Sequence, residues 1–267
     1  MPHPPPSTPP EPLSHLAIER RGAVIIVRLD RPAKRNAVND ELLRSLETFF
    51  QQPPDEARAV VLCGAGDHFC AGLDLSEHRD RDAFAVMEHS RWWHAVFERI
   101  QYGRVPVVVA MRGGVIGGGL ELAAATHVRV AERSCFYALP EGQRGIFVGG
   151  GATVRVARLI GAGRMVEMML TGHVYDAEEG QRLGLSHYLV DDGEALPKAI
   201  ELAEKIAGNA QASNYAVLHA IGRIAEMGPA EGLFTESLMA ALVQTGPEAR
   251  ERLQAFLDRR SERVRPG

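Results

Sequence analysis

Cysteine is scarce in this chain. Only Cys63, Cys70 and Cys135 occur in 267 residues, and no two have CxxC spacing. An odd count without paired spacing excludes a disulfide framework and points to a reducing, cytoplasmic setting. No apolar run approaches the length of a membrane span. The N-terminus has neither the basic start nor the apolar stretch of a signal peptide. Strong charge is also missing. A formal net charge of -4 gives no general attraction to nucleic acid or to an anionic membrane, yet leaves room for a local basic site.

Several chemical signatures are absent too. The glycines at 113–119 do not fit GxGxxG, because Val115 stands where the second glycine belongs, and no GKS or GKT follows. His68, His78, His89, His94 and His127 show no metal-ligand spacing such as HExxH. There is no GxSxG elbow. Cys70 has no evident partner base and reads as a small buried residue. These absences remove dinucleotide, P-loop, zinc-protease and serine-hydrolase chemistry of the usual kinds.

What is present is an ordinary globular composition, 45% hydrophobic and 24% charged. Seven of the first twelve residues are proline, so residues 1–12 are expected to be an extended tail. Ala23–Leu29, Ala59–Cys63 and Val107–Met111 are short, Val/Ile/Leu-rich and bounded by Gly or Pro, as buried strands are. Asp40–Gln52 and Asp82–Tyr102 have helical patterning, and Leu120–Ala125 opens another helix. This alternation predicts an α/β architecture with parallel pairing. Trp92 and Trp93, adjacent on a helix, must point different ways, one into the core and the other toward a pocket or interface. Glu194–Ala207, Tyr215–Met227, Glu231–Leu242 and Pro247–Arg259 read as consecutive helices, which predicts a core over 13–200 and an appended helical domain over 201–267.

Three segments carry chemistry. In Val105–Ala125 a strand runs into a stretch in which five of seven residues are glycine, and a helix follows. Glycine lets backbone approach a ligand closely, and a helix start offers unpaired N–H groups for an anion or developing oxyanion. The same pattern fits a tight turn in which Glu121 merely complements the helix dipole. In Asp67–Glu77 (DHFCAGLDLSE), Asp74 and Glu77 have capping-box spacing, which predicts a helix start with free N–H groups near Leu73. In Ser134–Gly151 a short strand ends at Pro140 and Glu141 follows. Leu139, Ile146, Phe147 and Val148 are expected to surround that carboxylate and raise its pKa.

Four blocks, in order and in register, resemble the enoyl-CoA hydratase (crotonase) superfamily. DRPAKRNAV (30–38) resembles RPxxxNA, and FCAGLDL resembles the FxAGxDL loop. PVVVAMRGGVIGGGLELA and FYALPEGQRGIFVGGG resemble the two glycine-rich blocks that follow. FLDRRSERV resembles the C-terminal ending. The resemblance spans roughly residues 15–260. It implies an α/β crotonase-like spiral of ββα units with an appended C-terminal helical domain. It implies a CoA-thioester substrate and no prosthetic group, with coenzyme A entering only as part of the substrate. The family's oxyanion-hole N–H groups fall on Leu73 and Gly118, and its acid/base carboxylates on Glu121 and Glu141. Lys34, Arg35, Ala37, Ala71, Asp74, Leu75, Arg259 and Arg260 are then expected to hold CoA. The assembly implied is a homotrimer or homohexamer.

Both glutamates being present favours hydration of a short or unusual 2-enoyl-CoA. Chain length and the glutamate placement also resemble hydratases of methylthioacryloyl-CoA, which end in thioester hydrolysis. Isomerase, acyl-CoA lyase and thioester hydrolase activities share the fold, and a non-catalytic RNA-binding homologue is the remote alternative. The block departs from the family at Phe147-Val148, where Ile-Pro is usual, at Leu139, and at Ala152-Thr153, where a Gln is missing. Val264 replaces an aromatic. An unusual acyl pocket follows from these departures.

Overall fold

The computed structural model describes residues 13–77 and 81–258. The proline-rich segment, His78, Arg259, Arg260 and Val264 lie outside the described residues. The three expected strands are present as β2 (Val24–Leu29), β3 (Ala59–Gly64) and β4 (Val107–Met111). They form the centre of a six-stranded sheet that also contains β1 (Leu16–Arg21), β6 (Val128–Glu132) and β9 (Tyr188–Val190). The order is β1-β2-β3-β4-β6-β9. Only the β1–β2 pair is antiparallel. Parallel pairing buries both faces of β3 and β4, which explains their unbroken apolar runs.

One face of this sheet packs Ile25, Val27, Leu29, Val60, Leu62, Val107 and Val109 against α1 (Asp40–Gln51) and α2 (Ala83–Gln101). Both helices start as their sequences require: Asn39 caps α1 by accepting from the Leu42 N–H at 3.0 Å, and Asp82 caps α2 by accepting from Ala85 at 2.8 Å. The opposite face packs Val24, Ile26, Val61, Val108 and Ala110 under α7 (Ala195–Ala207), through its stripe of Ala195, Ala199, Ile200 and Ala203. Alanines at helical spacing let α7 lie close on the strands. This helix crosses the boundary expected near residue 200, so the sheet-covering part of the chain runs to residue 207.

A second, smaller sheet of β5 (Gly114–Ile116), β7 (Phe136–Ala138) and β8 (Tyr175–Asp176) stands beside the first. Helix α3 (Gly118–Ala124) follows β5. Helices α4 (Ala152–Ile160) and α5 (Ala162–Thr171) follow β7, and α6 (Ala177–Leu183) follows β8. The chain then ends its described part in α8 (Gln211–Ile224), α9 (Pro229–Gln244) and α10 (Pro247–Leu257). The expected α/β core with C-terminal helices is therefore present. Where a helix was expected after Asp74, the described residues form a 3₁₀ turn, Leu75–Glu77. Asp74 accepts from the Ser76 N–H two residues on, a shorter reach than that of a capping box.

Asn36 fixes the loop between β2 and α1. It is fully buried and left-handed, with φ 55°. Its side-chain amide donates to the Ala65 and His68 carbonyls, both at 2.8 Å, and its Oδ1 accepts from the Arg31 N–H at 3.0 Å. Asn tolerates this backbone region better than most residues. Asn36→Ala should therefore cost about 2–4 kcal/mol, since it orphans three part-buried backbone groups. A change below about 0.5 kcal/mol in urea unfolding would show that this clasp is not structural.

Candidate active site

Two loops meet above the sheet. The Cys70 N–H donates to the Gly114 carbonyl at 3.1 Å, and the Ile116 N–H donates to the Cys70 carbonyl at 3.0 Å. This places Gly72–Leu73 beside Gly117–Gly118. A Cβ built on Gly118 would lie 3.4 Å from the Leu73 nitrogen and 2.8 Å from the Trp93 ring, so only glycine leaves this space open. The Leu73 and Gly118 N–H groups donate to no described group. They are adjacent, free donors at one point, where the sequence had suggested each separately.

Glu121 lies in the first turn of α3 and is 3% exposed. Its Oε1 accepts from the Gly150 N–H at 2.8 Å and the Ala152 N–H at 2.9 Å. Burial pushes its pKa up. The two N–H donors and the Arg155 guanidinium act in the opposite sense. Glu141 follows β7 on a loop and is 7% exposed. Its Oε1 faces Gly117, whose φ is 53°; a Cβ there would sit 2.6 Å from that oxygen. Its Oε2 has no hydrogen-bond partner. Burial raises Glu141 to about 7, and the negative charge of Glu121 adds to the rise. The expected apolar wall is only partly its cause: Leu139 is buried, but Phe147 is 70% exposed.

Glu121, Glu141, Leu73 and Gly118 all line one cavity of about 1140 Å³. Trp93, Val86, Met87, Ile146, Phe147 and Val148 form its apolar wall. Trp93 also packs edge-on against Phe97 in the core, while Trp92 turns away and donates to Glu47 at 2.8 Å. Asp40, Arg81 and His89 add a polar edge, with Asp40 bridging the other two at 3.1 and 2.8 Å.

Among the described residues, those expected to hold CoA lie on or beside the loops that border this cavity. Residues 34–38 and 71–74 are joined by backbone hydrogen bonds from Ala71 to Arg35, from Val38 to Gly72 and from Asp74 to Val38. Leu75 and Asp74 line the cavity. Lys34, Arg35, Ala37 and Ala71 lie on the joined loops next to it. Lys34 and Arg35 are exposed, and Lys34 Nζ donates to Ser76 Oγ at 3.0 Å. Asp74 is less available than expected. Its carboxylate pairs with buried Arg31 at 3.0 Å and accepts from Ser76 Oγ at 2.6 Å. Burial would raise its pKa, but the bonds from Ser76 and Arg31 outweigh that and hold it below the usual carboxylate range. Asp74 thus braces the loop.

Sequence reasoning missed the groups that shape the glycine loop 149–151. Ser90 Oγ donates to the Gly149 carbonyl at 2.6 Å, and Arg155 donates to the Gly150 carbonyl at 3.1 Å. The signal available was the helical spacing of Ser90, Phe97 and Gln101 on α2. Cys70 is buried as expected, its thiol pushed up to about 12 by burial.

Comparison with known proteins places the chain in a family. The sequence profile described as "Enoyl-CoA hydratase/isomerase" matches residues 19–264. A Rhodopseudomonas palustris structure, provisionally named an enoyl-CoA hydratase, is 54% identical with a TM-score of 0.91, covering 95% of this chain and 98% of that one. Enoyl-CoA hydratase EchA19 of Mycobacterium tuberculosis is 30% identical over 249 residues, 91% of this chain and 94% of its own. The 2,3-dehydroadipyl-CoA hydratase of Escherichia coli is 30% identical over 251 residues, 93% of this chain and 98% of its own. With this span of similarity joined to the fold and the four sequence blocks, the chain is an enzyme of the enoyl-CoA hydratase/isomerase family.

Proposed function

We propose that this enzyme adds water across the double bond of a short or unusual 2-enoyl-CoA. The observation that carries this reading is that two buried carboxyl groups and two free backbone N–H groups open on one cavity. In the proposed reaction the thioester oxygen accepts from the Leu73 and Gly118 N–H groups. Polarisation draws electron density toward that oxygen and makes Cβ electrophilic. Glu121, whose Oε1 is aligned by two N–H donors, takes a proton from water as the water oxygen bonds to Cβ. The resulting enolate is held by the two N–H groups. Glu141 at about 7 still carries a proton near neutrality and delivers it to Cα. Each donor of such a hole is typically worth about 3–4 kcal/mol of barrier.

The CoA moiety is proposed to lie over the joined loops, with Lys34 and Arg35 toward its phosphates and Ala37, Ala71 and Leu75 against it. Arg259 and Arg260 complete the proposed set. The apolar wall of Trp93, Val86, Met87 and Phe147 suits a compact acyl group. Methylthioacryloyl-CoA, with thioester hydrolysis after hydration, is the narrowest form of the proposal. A panel of enoyl-CoAs followed by mass spectrometry tests it: water gain supports hydration, no mass change would indicate isomerisation, and release of free CoA would mark hydrolysis.

A homotrimer or homohexamer is proposed through α8–α10. Leu233, Phe234, Leu238 and Leu242 are exposed around α9, and Tyr215, Ile221, Leu253 and Phe256 extend the surface on α8 and α10. A helix with apolar residues on several sides needs cover. Light scattering should give at least three times the chain mass of 29.1 kDa; a monomer would contradict the assembly.

The chemistry gives two further expectations. Glu121→Gln and Glu141→Gln should each lower kcat by about 10²–10⁴-fold with the CoA thioester still bound. For the wild type, kcat/KM should fall as pH rises through about 7, where Glu141 loses its proton. Full activity in either variant would remove that residue from the mechanism. The second expectation concerns stability. A carboxyl raised in the folded state stabilises most below its unfolded pKa and loses that contribution as pH rises through its folded value. Glu141→Gln should thus have a higher Tm than the wild type at pH 8, with the difference shrinking toward pH 5. A constant difference would show that Glu141 is not raised.

A further inference from the structure

The loop that holds Glu121 cannot hold itself. Its residues Gly149, Gly150 and Gly151 have no side chains, and Gly151 is left-handed at φ 105°. Yet the Gly150 and Ala152 N–H groups are the ones that grip Glu121 Oε1. The clamp comes from outside the loop. Arg155, only 9% exposed on α4, sends its Nη1–H to the Gly150 carbonyl at 3.1 Å and its Nε–H to Gln101 Oε1 on α2 at 2.7 Å. A Cβ on Gly151 would come within 2.3 Å of the Arg155 Nη1, so the guanidinium lies flat against the loop. One peptide unit is thus held on both sides: its carbonyl by Arg155, and the N–H groups flanking it by Glu121.

We propose that Arg155, anchored by Gln101, is a positioning residue for Glu121, fixing the loop that grips the carboxylate and setting a cation beside it. The inference rests on the acid/base reading of Glu121 given above. The charged and titratable groups around it are few. Glu121 is faced by Arg155 on α4 and by Glu141 on the loop after β7. Arg155 is faced by Glu98 and His94 of α2, by Tyr102 at the end of that helix and by Arg158 of its own helix. Glu141 repels a charge on Glu121, and Arg155 is the cation that offsets this repulsion. Removing it leaves the proton on Glu121 up to higher pH, where it cannot act as a base. A neutral side chain also frees the Gly150 carbonyl and lets the two N–H donors drift.

The test compares Arg155→Met, Arg155→Lys and Gln101→Leu in the full-length protein. In Arg155→Met, kcat should fall about ten- to hundredfold while KM changes by less than about threefold, as expected for a displaced reacting group. The acid limb of kcat/KM should move up by about one pH unit as the opposite charge is lost. Arg155→Lys restores the charge and should return the acid limb to its wild-type position. Gln101→Leu, which leaves the guanidinium in place but unanchored, should shift the limb less than Arg155→Met, and it carries the test if Arg155→Met does not fold. Infrared titration of the Glu121 carboxyl, assigned by difference from Glu121→Gln, reads the same shift without substrate. A raised Glu121 midpoint in an enzyme that turns over no enoyl-CoA would sustain the positioning role and sink the hydration reading. An unmoved midpoint and acid limb in Arg155→Met, or a loss confined to KM, would overturn the proposal.

Discussion

The pairing of two loop backbones at Cys70 and Val115 is the contact on which the site depends. Two hydrogen bonds there, at 3.1 and 3.0 Å, bring a segment after β3 against β5. Neither segment is a ligand site by itself. Together they leave two N–H groups, from Leu73 and Gly118, close together at the wall of one cavity with no partner among the described residues. Buried N–H groups are nearly always paired, so two free ones at the edge of a cavity are an unmet demand that a carbonyl oxygen can satisfy. The glycines follow from this geometry: at 118 a side chain would strike Trp93, and at 117 it would strike Glu141. The main sheet and α1 provide the rigid base that keeps the loops at this separation, and Asn36 ties the first loop to that base.

Placing two carboxyl groups in such a cavity works against the fold. Each loses hydration, and they repel one another. The structure treats them unequally. Burial raises both, but Glu121 receives two N–H bonds and lies near a guanidinium, which oppose that rise. Glu141 has an oxygen with no donor at all, and burial raises it to about 7. Unequal surroundings for two like groups are what acid/base division of labour requires. Asp74 shows the contrast. It is a third buried carboxylate close by, but Arg31 and Ser76 occupy it, and it serves the loop instead.

Much of this was legible in the sequence because the governing patterns are local. The central strands are continuous apolar runs, since parallel strands are buried on both faces, and α1 and α2 announce themselves by caps and periodicity. The glycine cluster was readable as a possible anion site from residue types at fixed spacing, and the family resemblance singled out the glutamates at 121 and 141. What could not be read depends on distant partners. Strand β6 carries Arg129 at its second position, which no strand pattern favours. Its guanidinium is buried only because carbonyls of Thr126, Gly184 and Leu185 accept from it. Strand β1 is exposed at five of six positions and has little apolar signal. The clamp on the 149–151 loop draws on α2 and α4, some fifty residues apart, and glycines carry no mark of what holds them. Asp74 looked available for a ligand because its partner Arg31 belongs to another loop.

The central claim is that the two paired loops form one oxygen-binding point between the carboxyl groups. A crystal structure with a bound, unreactive acyl-CoA thioester analogue tests it most directly. The account predicts the thioester oxygen within hydrogen-bond reach, about 3 Å, of both the Leu73 and the Gly118 nitrogens, with Cα and Cβ between Glu121 and Glu141. A thioester oxygen bound away from those two nitrogens, with the carboxyl groups facing no part of the acyl chain, would contradict it.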